Sequence, residues 1–126
     1  LTLHNPINLP FWQSGQKIDY ELDESPIILY AGRVGLGIDK SLKLIAEAVA
    51  KINIEMGLSI RFIIQAQKAP FWLKDHEFAE HKGFVPYGDL PKEFGSADFL
   101  ILPYDFSTKS LAYIKYSMPT ILKAMK

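Results

Sequence analysis

The sequence predicts an α/β domain built on a doubly wound parallel sheet. Three observations carry that expectation. Short apolar runs rich in β-branched residues recur at residues 27–30, 58–65 and 98–104. Between the first two lies a segment, 40–56, whose apolar positions Leu42, Ile45, Val49, Ile52 and Met56 recur every three or four residues and so share one helical face. The runs themselves are too continuously apolar for a sheet with one wet face. A crossover helix of this length requires the strands it joins to be parallel, with a right-handed connection.

The elements follow in order. Residues 1–25 carry Asn5, Pro6, Asn8, Pro10, Ser14 and Gly15, then the acidic Asp19, Glu21, Asp23 and Glu24, with little periodicity; they read as a surface linker or extended lead-in to a domain over 26–126. The first strand, 27–30, runs through Ala31 into a glycine-punctuated turn, Gly32-Arg33-Val34-Gly35-Leu36-Gly37. The helix over 40–56 has Asp39 or Ser41 to cap its start and Gly57 where a left-handed residue closes it. Residues 58–65 are the second strand, 74–81 a short helix, 84–87 the third strand. Asp89 and Pro91 mark the start of a small helix over 92–97, and 98–104 is the fourth and most buried strand. A loop spans 105–118, and Pro119 and Thr120 open a helix that the chain cuts short at Lys126. With Leu1 rather than Met at the start, the chain reads as a truncated piece of a longer protein.

The simplest strand order puts the first strand at the centre, the second and third on one side and the fourth on the other. A topological switch point then lies between strands one and four, where open α/β sheets bind ligands beyond the carboxyl ends of their strands. The Gly32–Gly37 turn and the 104–109 loop are expected to face each other across that crevice.

Composition narrows the function. A length of 126 residues suits one domain, and 48% hydrophobic with 22% charged residues excludes a disordered chain. Fourteen basic residues balance fourteen acidic ones, so no net charge draws the chain to nucleic acid or an anionic membrane. The absence of cysteine excludes a disulfide scaffold and thiolate metal sites. His76 and His81 are five apart, off a common helical face, and His4 is remote, so no metal site is expected. No apolar run approaches the roughly 18–20 residues of a membrane span, and residues 1–10 lack a basic start with an apolar block. A cytoplasmic location is the expectation.

The glycine turn is the best candidate site. Glycines let the backbone approach a ligand, exposed N–H groups bind anions, and the helix dipole adds about 0.3–1 kcal/mol. Arg33 and Lys40 can each give a phosphate a charge-assisted hydrogen bond of roughly 1.5–3 kcal/mol. The alternative is a tight turn with both cations solvated. The turn is neither a Walker loop nor the spaced dinucleotide fingerprint. Lys109, Lys115, Lys123 and Lys126, with no acid among them, read as a solvated face or one that meets an anionic substrate. Asp89 and Asp98 read as a helix cap and a strand lead-in, and Asp105 as a turn residue or a site carboxylate. Two Phe-Trp pairs, Phe11-Trp12 and Phe71-Trp72, read as satellite packing or an interdomain contact.

The succession Ile-Leu-Tyr-Ala-Gly-Arg-Val-Gly, an amphipathic helix, Phe-Val-Pro-Tyr-Gly-Asp-Leu-Pro and Ser-Ala-Asp-Phe-Leu-Ile-Leu-Pro resembles the C-terminal, donor-binding domain of GT-B glycosyltransferases. It is most similar to the retaining group, GT4-like, that builds bacterial surface polysaccharides, and Tyr116-Ser117-Met118-Pro119-Thr120 resembles a stretch of one bacterial subset. The resemblance covers residues 26–126 and implies a Rossmann-like fold, one half of a GT-B enzyme. It implies that Gly32, Arg33 and Gly35 lie under the donor's phosphates, with Lys40 as the second cation. Tyr87, Gly88 and Asp89 would line the nucleobase, and Ser117, Met118 and Thr120 would contact the distal phosphate and sugar. The implied chemistry is glycosyl transfer from a nucleotide-diphosphate sugar, in polysaccharide biosynthesis, without metal or other cofactor. An N-terminal acceptor-binding domain is the implied partner, with peripheral membrane association through the whole protein and no nucleic acid. The chain departs from the family where two glutamates eight positions apart are expected, since Lys115 and Lys123 stand there. A Rossmann-like interaction module whose transferase activity has lapsed is therefore the alternative, and an epimerase-type nucleotide enzyme a third reading that the missing dinucleotide fingerprint weakens.

Overall fold

The structure, a computed structural model, describes residues 7–35, 37–105 and 107. The expectations for Lys109, Lys115, Ser117, Met118, Thr120, Lys123 and Lys126 lie outside the described residues. The core is a four-stranded, all-parallel sheet of β1 (Ile27–Ala31), β2 (Arg61–Gln65), β3 (Ala79–Lys82) and β4 (Phe99–Leu100), in the order β3-β2-β1-β4. The first strand is central and the fourth stands alone on its far side, as the alternation of elements predicts. The fold is Rossmann-like α/β.

Apolar side chains leave both faces of the sheet, which is why the strand runs do not alternate with polar residues. Tyr30, Phe62 and Ile64 pack on one face with Ile38, Leu42, Ala46 and Trp72. Leu29 packs on the other with Trp12, Phe94 and Ala97, joined by Ile27, Ile63 and Leu100. Each fully buried aliphatic side chain such as Leu42 contributes about 1.5–3 kcal/mol.

Helix α2 (Asp39–Met56) is the crossover between β1 and β2. Its buried stripe is Leu42, Ala46 and Val49, whereas Ile52 and Met56, expected on the same face, are 38% and 68% exposed. Beyond Val49 the helix is held by a polar clamp: the Asn53 carboxamide donates to the Ile60 carbonyl at 3.0 Å and accepts the Ile60 N–H at 2.9 Å. Neither Asp39 nor Ser41 caps the start, because Ile38 holds the cap position and the Asp39 carboxylate accepts the indole N–H of Trp72 at 3.0 Å. Gly57 closes the helix at φ 63° as expected, its N–H on the Asn53 carbonyl.

Four elements differ from the sequence expectation. A 3₁₀ turn, Phe71–Asp75, stands in place of a helix over 74–81 and drops Trp72 into the core while Phe71 stays exposed. The third strand is Ala79–Lys82 rather than 84–87, an edge strand with only Ala79 buried. The fourth strand is Phe99–Leu100 rather than 98–104 and is not the most buried, with Phe99 48% exposed, although the Asp98 and Ile101 amides continue the register by donating to Ile27 and Leu29. The small helix, α3 (Leu90–Gly95), starts two residues early, with Asp89 at its cap position but making no side-chain cap bond.

The lead-in contributes packed structure. Asn8 accepts the Phe11 N–H at 3.2 Å and starts α1 (Leu9–Gln13), with Pro10 in its first turn. Trp12, 7% exposed, stacks on Phe94 with ring centroids 5.6 Å apart. Just beyond, the backbone crosses α3 so closely that a Cβ on Gly95 would sit 1.7 Å from the Gly15 carbonyl oxygen, and one on Gly15 would sit 2.1 Å from the Pro91 carbonyl. Only glycine fits at either position. Further along, Ile18, Tyr20 and Leu22 return to solvent.

Candidate functional site

Beyond the carboxyl ends of β1, β2 and β3 opens a crevice of about 530 Å³. The β1 end gives it Ala31, Gly32, Arg33 and Val34, and the β2 end Gln65, Ala66, Gln67 and Lys68. Gly83, Phe84 and Val85 form a third wall after β3, and Leu90 and Phe94 of α3 close it. This is the end of an open α/β sheet at which ligands bind.

The turn after β1 is propped from beneath by Tyr30, which is 4% exposed and whose hydroxyl donates to the Arg33 carbonyl at 2.9 Å. Burial, and secondarily Tyr104, push its pKa up to about 12, against a lowering influence from Arg33. The phenol therefore stays a hydrogen-bond donor at neutral pH. A Cβ on Gly32 would lie 2.7 Å from the Tyr30 hydroxyl oxygen, so a side chain there would push this prop aside. Backbone continuity is kept one residue past the strand, where the Gly32 N–H donates to the Gln65 carbonyl at 3.0 Å. The turn then closes on itself: the Ile38 and Asp39 amides both donate to the Gly35 carbonyl, at 3.0 and 3.1 Å. Those two amides are committed inside the turn.

The Asp105 N–H donates to the Gly37 carbonyl at 2.9 Å. The turn after β1 and the segment after β4 thus meet at the switch point, as the topology predicts.

Of the expected site residues, Gly32 and Arg33 line the crevice. Gly35 sits within the turn and Lys40 on the first turn of α2, both exposed and neither on the crevice wall. The expected nucleobase group is placed elsewhere: Tyr87, Gly88 and Asp89 form a 3₁₀ turn ahead of α3, outside the crevice wall. The Tyr87 ring is stacked on Phe11 at 4.9 Å and 5° between planes. Gly88 has open space around it and a backbone any residue adopts, so neither packing nor dihedral explains its being glycine.

Sequence reasoning missed Tyr30, Gln65, Gln67, Lys68, Phe84 and Val85. The signal that finds Gln65, Gln67 and Lys68 is positional: they end and directly follow the second strand, at the sheet end where ligands bind. Gln65 is the one buried polar side chain among the described residues, 7% exposed, and its Oε1 has no hydrogen-bond partner. Leaving such a group unpaired costs about 1–3 kcal/mol. Lys68 is exposed and has no ion-pair partner among the described residues.

A second concavity of about 320 Å³ lies between the lead-in and α3 and shares Phe94 with the crevice. Its polar groups satisfy each other: Asp98 accepts the Ile27 N–H at 2.7 Å and an ion-paired hydrogen bond from Lys17. Burial alone would raise the Asp98 pKa, but the hydrogen bonds from Lys17 and Ile27 and the Lys17 charge outweigh it and hold the carboxyl below its ordinary value. This is a structural joint between lead-in and β4, consistent with the reading of Asp98 as a strand lead-in. Among the described residues no cluster of three or more His, Asp or Glu is placed to hold a metal ion, and no helix is long and apolar enough to cross a membrane.

Compared with known proteins, the chain matches no protein-family model and no curated protein.

Proposed function

We propose that this chain is the donor-binding part of a GT-B-type glycosyltransferase, taking a nucleotide-diphosphate sugar into the crevice beyond β1, β2 and β3. One observation carries the reading: the crevice beyond the carboxyl ends of β1, β2 and β3 collects Arg33, propped by Tyr30, beside Gly32, with apolar walls from Val85, Leu90 and Phe94. A nucleoside diphosphate has the matching chemistry, an anionic diphosphate joined through its sugar to a planar base whose faces can pack on apolar side chains. The cation beside the diphosphate stabilises the charge that develops there as the glycosyl bond breaks. Transfer to an acceptor needs a second domain facing the crevice, so activity belongs to the whole protein, placed in glycan or polysaccharide synthesis in the cytoplasm.

Titration with UDP, GDP, CDP and dTDP tests the reading. Selective binding of one, lost in Arg33→Ala, supports it; absence of binding to all four contradicts it. The rival, a Rossmann-like interaction module, is favoured by Lys115 and Lys123, which stand where the resembled family has glutamates. It predicts a whole protein that transfers sugar from no nucleotide sugar.

A further inference from the structure

We propose that the β2 end supplies the second half of the ligand contacts, with Lys68 pairing beside Arg33 on the anionic group and the Gln65 carboxamide hydrogen-bonding an uncharged polar group of the same ligand. The proposal rests on the nucleotide reading and replaces Lys40 as second cation. Register places the partners. Ala31 lies opposite Gln65, and the Gly32 N–H extends the pairing to the Gln65 carbonyl, so the chains leaving β1 and β2 start side by side. Adjacent parallel strands are about 4.8 Å apart, which brings Arg33 and Lys68 onto neighbouring walls of one crevice. Two cations on neighbouring walls of one crevice match the charge of a diphosphate, and Lys68 is drawn into no ion pair among the described residues. Lys40 lies outside the crevice wall.

Gln65 supplies the independent pointer. A carboxamide in the wall of an apolar-sided crevice, with its Oε1 buried and unpartnered, costs stability and makes no hydrogen bond through that oxygen in return. A volume-matched apolar residue would pack there without that cost. The group gains its use when a ligand occupies the crevice and the amide turns to meet it, since it can both donate and accept.

Calorimetric titration with UDP, GDP, CDP and dTDP and with the four parent nucleosides tests this in wild type, Lys68→Ala, Gln65→Met, Lys40→Ala and Arg33→Ala. Lys68→Ala is expected to weaken the preferred diphosphate by about tenfold and its nucleoside by less than about twofold, the size of one charge-assisted hydrogen bond at an exposed site. Gln65→Met is expected to weaken diphosphate and nucleoside alike, while the unliganded variant melts no lower than wild type. That combination separates a binding role from a structural one, because a structural glutamine would lower the melting temperature when replaced. Lys40→Ala is expected to bind as wild type. Unchanged diphosphate affinity in Lys68→Ala, or wild-type nucleoside affinity in Gln65→Met, overturns the proposal; the nucleotide reading survives that result if Arg33→Ala still loses affinity. A wild-type protein that binds none of the eight compounds overturns both.

Discussion

The amide of Asp105 donates to the carbonyl of Gly37 across 2.9 Å, tying the segment that leaves β4 to the turn that leaves β1. Gly37 has φ 78°, a left-handed conformation that costs other residues roughly 1–2 kcal/mol. The bond fixes the mouth of the switch point, and with it the position of the turn that carries Arg33.

Gly37→Ala is therefore expected to destabilise by about 1–2 kcal/mol, whereas Gly35→Ala, whose added Cβ meets nothing within 4 Å, is expected to stay within about 0.5 kcal/mol of wild type. Denaturant unfolding of the two variants side by side checks this.

Tyr30 and Gly32 are expected to couple. Gly32→Ala presses a methyl group against the Tyr30 hydroxyl and is expected to cost about 1–3 kcal/mol by overpacking. Tyr30→Phe loses the bond to the Arg33 carbonyl, about 0.5–1.5 kcal/mol. Because Phe lacks the oxygen that the Cβ strikes first, the double variant is expected to be less destabilised than the sum, a coupling that a double-mutant cycle measures.

The same phenol sets an alkaline limit. The unfolded chain releases this proton near 10.0, the folded protein near 12. Its contribution to stability is complete below the lower value and is lost as the pH rises through the interval. Phenolate absorbance is expected to show an ionisation near pH 12 that Tyr30→Phe removes.

Asp98 sets an acid limit of opposite sign. Its folded pKa lies below the ordinary 3.8, so its contribution is complete above that value and is lost as the pH falls through the folded one. Unfolding midpoints followed from neutral pH downward are expected to fall less steeply in Asp98→Asn than in wild type at the acid end, with Asp98→Asn the less stable protein at neutral pH.

The lead-in is expected to matter for stability. Trp12→Ala removes a buried ring from the second core and is expected to cost about 3–5 kcal/mol, and Gly95→Ala drives a methyl into the Gly15 carbonyl and is expected to cost at least as much as a typical overpacked core site, about 1–3 kcal/mol. Thermal unfolding reads both.

Strand order was legible because it follows from connectivity: the long periodic segment between two apolar runs forces a parallel crossover, whichever residues fill it. The third strand was not legible, since Ala79, Glu80, His81 and Lys82 lie at the sheet edge and only Ala79 is buried, leaving no apolar pattern to read. The nearby apolar run, Phe84 and Val85, serves instead as a wall of the crevice. Trp12 was legible as a packing aromatic, but the helix that carries it was not, because a five-residue helix presents one buried side chain and repeats nothing. At the site, Gly32 and Arg33 were found from turn chemistry. Gln65 and Lys68 were not, because burial of one polar atom and the neighbourhood of two loops are properties of the folded chain.

The central claim is that a nucleoside diphosphate occupies the crevice at the strand ends, and amide chemical-shift mapping during titration with the preferred diphosphate tests it most directly. Shifts concentrated at Gly32, Arg33, Gln65, Lys68 and Phe84 are the expected result. Shifts concentrated instead around Lys17 and Asp98, or a spectrum that no diphosphate changes, would contradict it.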